Sequence, residues 1–415
     1  MSGRVHVIGA GLAGLAAATA LAAGGRRVVL HEAGPAAGGR CRSFFDATLG
    51  CRIDNGNHLL LSGNRATLAY LRRIGAEASL GGPAAPLFPF HDLASGARWT
   101  LRLSPGRLPW WLLSARRRVP GTRPAAYLRL LRFLRAGPEA TVAELAGDDA
   151  LARRLILPLA VAALNTPPGE GSARLLGAVL RETLLAGGAA CRPLVPREGL
   201  SESLIDPALG FLAARGAEIG FSRRVGALVT AGGRLCALAT AEGTIPLGAE
   251  DRAILAVPAP VAATLLPGLA VPQRFQAILN LHFRIEAPPG EAGFVGLVGG
   301  VAEWVFVKRG VVSVTISAAN ALADLAPEAL AARVWPEVAA TLALPQGMPP
   351  WRVVKEKRAS FAATPAEDRR RPGAATALAN LTLAGDWTAT GLPATVEGAI
   401  RSGERAAVLA GGVGH

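Results

Sequence analysis

The chain is poor in several residue types that often announce a function. Its cysteines, Cys41, Cys51, Cys191 and Cys236, form no C-x-x-C pair, and none of its 6 histidines sits at metal-ligand spacing. No metal site is expected, nor a disulfide framework, and reduced thiols are the default. Tyrosine occurs only at Tyr70 and Tyr127, and lysine only at Lys308, Lys355 and Lys357. Asp and Glu number 30 against 44 Lys and Arg, so the net charge of +14 is nearly all arginine. Part of this follows a composition rich in Ala, Gly, Pro and Arg, and part suits a basic surface, which favours anionic membranes or nucleic acid. No nucleic-acid motif accompanies the charge, so no nucleic-acid partner is expected. Apart from residues 5–24, no stretch supplies ~20 uncharged apolar residues, and no transmembrane helix is expected.

At 415 residues, with 51% hydrophobic and 18% charged content, there is enough chain for two domains with sizeable cores. Residues 5–24 superficially resemble a secretory signal, with an arginine in front and Ala20-Leu21-Ala22 resembling a cleavage site. A different reading explains them better. The apolar run Val5–Ile8 enters Gly9, Gly11 and Gly14 at G-x-G-x-x-G spacing. An Ala/Leu-rich helix follows, then a second apolar run ending at Glu32. This is a βαβ start for a dinucleotide. Gly9 permits the tight turn, Gly11 lets the backbone approach a pyrophosphate, and Gly14 lets helix and strand pack closely. The helix N-terminus, at Leu12 and Ala13, offers free N–H groups and the positive dipole end. Glu32, followed by Ala33, is placed to accept hydrogen bonds from the adenosine ribose.

A second glycine pair follows, Gly38-Gly39-Arg40. Chains similar to the amine-oxidase and phytoene-desaturase flavoproteins carry E-x(5)-G-G-R here, where backbone and arginine line the diphosphate and flavin. The resemblance implies FAD rather than NAD. Far along the chain, Leu383-Ala384-Gly385-Asp386-Trp387 precedes Gly391-Leu392-Pro393-Ala394-Thr395-Val396. This reads as a strand, a loop and a helix starting near Ala394. Asp386 is placed for the ribityl chain or diphosphate, and the helix N-terminus at Ala394, Thr395 and Val396 for the flavin edge that gains negative charge on reduction. In similar proteins a middle segment sets its backbone against the adenine, which here implicates Val225. With no Cys or His beside the C-terminal motif, non-covalent attachment is expected.

The pattern between these motifs alternates. Residues 1–75, 193–258 and 356–415 read as a discontinuous FAD domain, and 76–192 and 259–355 as a substrate or membrane-facing domain. The expected fold is α/β: a Rossmann-like FAD-binding domain of the amine-oxidase type with an inserted α+β substrate domain. Helices are expected over 65–74 and 204–215, stopped by Gly75 and Gly216.

Asp54-Asn55-Gly56-Asn57-His58-Leu59-Leu60-Leu61, with Glu356 to Pro365 and Ala384 to Thr388, resembles the hydroxysqualene dehydroxylases, also called squalene-associated FAD-dependent desaturases. The resemblance implies removal of the hydroxyl of hydroxysqualene, with reduced FAD, to give squalene for hopanoid synthesis. One departure is Asn57, where the family carries Gln. Two other readings stay open: a carotenoid-type FAD-dependent desaturase or isomerase, and a non-catalytic isoprenoid-binding escort protein. Amine substrates are disfavoured, because Ala394 and Thr395 stand where amine oxidases place an aromatic ring. For dehydroxylation, hydride from reduced flavin N5 would reach an allylic cation, with His58 as the expected acid and Asp54 orienting or charging it. Asn55, Gly56 and Asn57 form the expected substrate-side loop, and Lys357 and Arg358 are candidates for flavin contact. No second dinucleotide motif is present, so an external reductant is expected. From Arg98 to Arg135, ten arginines occur with no acidic residue, interleaved with Trp99, Trp110, Trp111 and several leucines. That pattern suits contact with an anionic membrane, and a cytoplasmic protein peripheral to the inner face is expected.

Overall fold

The computed structural model describes residues 3–411. The glycine-loop strand Arg4–Ile8 lies at the centre of a five-stranded parallel sheet. Its strands run Glu218–Gly220, Arg27–His31, Arg4–Ile8, Arg252–Leu255 and Leu381–Leu383 in spatial order. Apart from the half-buried Ile219 of the edge strand, their apolar side chains are buried, as a sheet covered on both faces requires. The helix Leu12–Ala23 has no polar face, and Leu12 to Ala22 are all buried. It lies between the sheet and the last helix, Val396–Leu409. The crossing is close: a Cβ on Gly403 would lie 2.1 Å from the Ala13 carbonyl oxygen.

A seven-stranded sheet forms the other large unit. Its order is Trp351–Phe361, Phe275–Phe283, Val311–Ile316, Trp304–Lys308, Phe294–Val298, Leu87–Asp92 and Arg98–Arg102. Every pairing is antiparallel except that of Phe294–Val298 with Leu87–Asp92. Period-two alternation divides its faces. Leu279, Leu281, Phe283, Val312, Val314 and Ile316 pack with Leu330, Val334, Trp335 and Val338 of helix Pro327–Leu342. Asn280, His282, Ser313 and Thr315 occupy the alternate positions and meet the 54–58 loop. Helical segments between residues 124 and 182, among them Leu157–Leu164 and Ala173–Glu182, form a second core that includes Trp99, Trp111, Tyr127 and Phe133.

Three expected boundaries shift. The division at 356 falls inside the strand Trp351–Phe361. The last helix begins at Val396 rather than Ala394, because the Thr395 hydroxyl accepts from the Gly398 amide at 3.0 Å and caps it. The helix expected over 204–215 opens with a π-helical turn, Ser201–Ile205, and continues as Asp206–Ala213. The helix Arg65–Arg73 stops as expected, with Gly75 at φ +71°.

Candidate active site

The glycines at the start of the chain have distinct steric roles. Gly9 has φ +104°, and a Cβ there would lie 2.5 Å from the Ala256 carbonyl oxygen. A Cβ on Gly14 would lie 1.9 Å from the Gly9 carbonyl oxygen, so only glycine lets helix and turn meet. A Cβ on Gly11 would meet nothing within 4 Å. Gly11 thus borders open space at a helix N-terminus whose cap supplies no side chain, a cradle that fits a pyrophosphate.

The second glycine pair lies against this cradle. The Gly38 amide donates to the Ala10 carbonyl at 2.8 Å, and Gly11 and Gly38 form a parallel bridge. Glu32 accepts from the Ala10 amide at 2.8 Å and from Gly34 at 2.7 Å. Residues 220–223 run beside it: the Arg223 amide donates to the Glu32 carbonyl and Ser222 to Gly34, each at 2.8 Å. This brings the segment leading into Val225 alongside the Glu32–Gly34 turn, while Ala33 is exposed.

The C-terminal motif joins the same cleft through an ion pair. Arg40 Nη2 donates to both Asp386 oxygens at 2.8 Å, and its Nη1 donates to the Ala359 carbonyl. Asp386 raises the Arg40 pKa further, and the buried Asp386 gains a fixed partner. Gly39 is nearby, its would-be Cβ 3.7 Å from Gly11 Cα.

The 54–58 loop is held by side chains from several segments. Asp54 Oδ1 accepts from Ser43 Oγ at 2.6 Å and the Leu200 amide at 2.9 Å, while Oδ2 pairs with Lys308. Burial alone would raise the Asp54 pKa; Lys308, Leu200 and Ser43 outweigh it and leave it lowered. The Asn55 carbonyl accepts from Asn280 Nδ2 at 3.1 Å, and a Cβ on Gly56 would come as close to that amide nitrogen. Asn57 Nδ2 donates to Ser313 Oγ at 3.0 Å and Thr315 Oγ1 at 3.1 Å, which leaves its buried Oδ1 without a partner.

Comparison with known proteins identifies the family. The family of flavin-containing amine oxidoreductases matches over residues 12–286 and 302–410. Hydroxysqualene dehydroxylase of Rhodopseudomonas palustris is 52% identical, covering 99% of this chain and 100% of that one. The same-named protein of Sinorhizobium fredii is 48% identical, covering 99% of each. The chain belongs to the hydroxysqualene dehydroxylase family. Among solved structures, cyclohexylamine oxidase from Brevibacterium oxydans shares the fold, with TM-score 0.72, 16% identity and 99% of each chain covered. As a member of a flavin-containing family, the chain carries a flavin.

Two observations bear on the roles expected of His58 and Lys357 in this dehydroxylase-family site. Burial pushes His58 down to about 4, with Asp54 opposing and Lys308 reinforcing that shift. That direction disfavours the charged imidazolium form. Asp54 makes no hydrogen bond to it; both carboxylate oxygens are occupied by Ser43, Leu200 and Lys308. Lys357 pairs with Asp324 at 2.9 Å. With Arg358, Pro260, Val271, Phe275 and Asn320 it lines an open cleft of about 680 Å³ that includes neither the glycine loop nor His58. Cys41 is buried and its thiol pushed up, so it packs as a neutral side chain.

Sequence reading missed Ser43, Asn280, His282, Lys308, Ser313 and Thr315. For Asn280, His282, Ser313 and Thr315 the signal was present as polar residues at every second position of two otherwise apolar runs. It also missed Glu397, which accepts from the amides of Ala66 at 3.0 Å and Thr67 at 2.9 Å and so ties the last helix to the helix Arg65–Arg73.

The segment Arg98–Arg135 divides in two. Trp99, Trp111, Tyr127, Leu130 and Phe133 are core. Arg98, Arg102, Arg118 and Arg129 are tied to carbonyls or carboxylates. Leu108, Trp110, Leu113, Leu128 and Leu131 are exposed, Trp110 by 64% and Leu113 by 69%. Arg107, Arg116, Arg123, Arg132 and Arg135 are exposed in the same segment. Among the described residues no helix is long and apolar enough to cross a membrane.

Proposed function

We propose that the chain is a FAD-dependent reductive dehydroxylase that converts hydroxysqualene to squalene. The observation that carries this reading is the identity of about half the residues, over the full length, to proteins of that name. The cofactor would be held without a covalent bond. Gly9, Gly11, Leu12, Ala13 and Gly14 take the diphosphate, and Glu32, Ala33 and Val225 the adenosine end. Gly39, Arg40, Gly385, Asp386, Ala394, Thr395 and Val396 take the flavin end. When bound and reduced by an external reductant, FAD supplies a hydride. The protein's own tasks are to hold the chain of the substrate, protonate the leaving oxygen and keep water from the allylic cation. Asn55, Gly56, Asn57 and His58 form the wall facing the reacting carbon, and Asp54 with Lys308 fixes that wall. Purified protein incubated with hydroxysqualene under reducing conditions yields squalene; recovery of unchanged alcohol, or conversion of phytoene instead, overturns the reading.

Loading is from a membrane. A C30 hydrocarbon gains on the order of 20 kcal/mol on leaving water, at about 0.8 kcal/mol per CH₂-sized group, so free substrate in solution is negligible. The exposed Trp110, Leu113 and Leu128 among exposed arginines suit the headgroup region of an anionic bilayer. Vesicles with anionic lipid should sediment the protein, and Arg116→Glu with Arg123→Glu should lower partitioning at least tenfold, at about 1 kcal/mol per basic residue. Equal binding of both proteins removes the membrane from the account.

A further inference from the structure

Three consecutive arginines, Arg369-Arg370-Arg371, stand at the end of the short helix Pro365–Arg369 and meet different fates. Arg369 pairs with Glu139 at the surface, and Arg370 faces Glu367 at 4.0 Å. The side chain of Arg371 is 0% exposed. Taking a guanidinium fully out of water is costly unless its donors are paired. Four acceptors and a ring meet this one. Nη1 donates to Asp368 Oδ1 at 2.9 Å. Nη2 donates to the Asp386 carbonyl at 3.2 Å, to the Thr388 carbonyl, and to Thr390 Oγ1 at 2.8 Å. The centre of the Phe361 ring lies 4.8 Å from the guanidinium carbon. Nε has no partner among the described residues.

Three of these acceptors lie in one segment, the loop 386–390 between the strand Leu381–Leu383 and the helix Val396–Leu409. The loop begins at Asp386, whose carboxylate holds Arg40. The Asp386 carbonyl is turned to Arg371, and in a trans peptide the Trp387 N–H points the opposite way. Among the described residues neither the Asp386 N–H nor the Trp387 N–H donates a hydrogen bond, although both residues are buried. Buried amides without an acceptor are rare. These two belong to the residue that pairs with Arg40 and to its neighbour, so a ligand oxygen or ring nitrogen in that cleft would supply what they lack.

Arg371 also joins two parts of the molecule. Asp368 Oδ2 accepts at 2.5 Å from Arg174, in the first turn of the helix Ala173–Glu182. The path from that helix to the loop is therefore Arg174, Asp368, Arg371 and the carbonyls of Asp386 and Thr388. The Ala389 amide adds a bond to the Pro372 carbonyl at 2.8 Å, so backbone as well as side chain ties the two segments. Charge along this path is uneven. Arg40 pairs with Asp386, Arg370 with Glu367, and Arg174 and Arg371 share Asp368, so four arginines meet three carboxylates. One positive charge is left uncompensated beside the loop. Arg40, Arg174 and Arg370 are each partly exposed and screened by water, while Arg371 is fully buried.

We propose that Arg371 is the positioning residue of the flavin end: its guanidinium turns the Asp386 and Thr388 carbonyls out of the cleft, so that the Asp386 and Trp387 amides face the cofactor, and its charge favours the reduced, more negative form of the flavin. The inference rests on the cofactor placement given under the proposed function. In this role Arg371 acts through the loop and through its field, without contact to substrate. The two contributions separate. Its hydrogen bonds fix the loop and so set how tightly either form of the flavin is held. Its charge acts on the difference between the forms, since reduction adds negative charge to the ring. A low-dielectric surround leaves that charge effective at short range.

Arg371→Met removes both contributions. Arg371→Lys keeps the charge but has too few donors for the four acceptors, and Thr390→Val removes one acceptor at constant charge. Absorbance titration of the flavin-free protein measures FAD affinity. It should fall at least about tenfold in Arg371→Met, by less in Arg371→Lys, and about threefold in Thr390→Val. The two-electron midpoint potential of the bound flavin should drop by about 30 mV in Arg371→Met, which is reduced flavin losing about tenfold more affinity than oxidised flavin. In the other two variants the potential should keep its wild-type value. An arginine that only holds the fold together would lower the melting temperature and leave the potential where it was. If Arg371→Met does not fold, Arg371→Lys and Thr390→Val decide, and wild-type FAD affinity in either overturns the positioning role. An unchanged potential in Arg371→Met, or an equal drop in Arg371→Lys, overturns the role of the charge and the proposal with it. A wild-type chain that takes up no FAD overturns the cofactor placement itself.

Discussion

The two walls of the proposed cofactor cleft rest on different chemistry. The Gly9–Gly14 wall works through backbone: amides at a helix end, a turn at φ +104°, and a space that side chains must leave clear. The Asp54–His58 wall works through side chains, with Ser43, Lys308, Asn280, Ser313 and Thr315 drawn from separate strands. The first is written within one stretch of chain. The second exists only once the seven-stranded sheet is in register, so its contacts carry less local signal and depend more on the whole fold.

The largest expected effect comes from the backbone wall. Gly14→Val drives a side chain into the Gly9 carbonyl and should cost at least about 3 kcal/mol, or prevent folding. Gly11→Ala should leave the melting temperature of the flavin-free protein within about 0.5 kcal/mol of the wild type, while flavin affinity falls at least about tenfold. Thermal melts with flavin titration check both, and equal melting losses would erase the distinction between packing and binding glycines. On the side-chain wall, Asp54→Asn should cost about 2–3 kcal/mol, since it takes the charge from a group with three donors and leaves Lys308 unpaired. The folded pKa of Asp54 is depressed. Its contribution is therefore complete above the unfolded value, about 3.9, and fades as pH falls below it toward the folded value. The gap between variant and wild type in denaturant melts should be constant from pH 5 to 7 and shrink toward pH 3; a gap that widens in acid contradicts this assignment. Smallest is Arg40→Met, at the residue that ties the second glycine pair to the C-terminal motif. Arg40 is partly exposed, so about 1–2 kcal/mol is expected, with a clearer loss of flavin affinity by absorbance titration.

Much of the backbone wall was legible because spacing reports it directly. G-x-G-x-x-G, an acidic residue after the second strand and a further glycine pair are local facts, and the stops at Gly75 and Gly216 follow from their positive φ. The last helix was misplaced by two residues because Thr395 could serve either as first turn or as cap, and only its bond to Gly398 decides. The strand order was hidden, since nothing local says that Arg252–Leu255 and Leu381–Leu383 complete the sheet begun at Arg4–Ile8. Lys308 reads in sequence as an ordinary strand-end lysine, and its meeting with Asp54 depends on register across two sheets. In the Arg98–Arg135 stretch the composition was right but the partition was not. Trp110 and Trp111 are adjacent, one exposed and one core, and both lie in one short 3₁₀ turn, Trp110–Leu113.

The Arg40–Asp386 pair closes over a separation of 346 residues, and this has a consequence for biogenesis. At a translation rate of roughly 5–20 residues per second, the glycine loop waits on the order of 20 to 70 s for its partner to be made. Until then the parallel sheet lacks its outer strand, the helix Leu12–Ala23 lacks the cover of Val396–Leu409, and the flavin end of the cleft has only one side. Cofactor uptake that depends on both Arg40 and Asp386 would thereby be postponed to the last stage of synthesis.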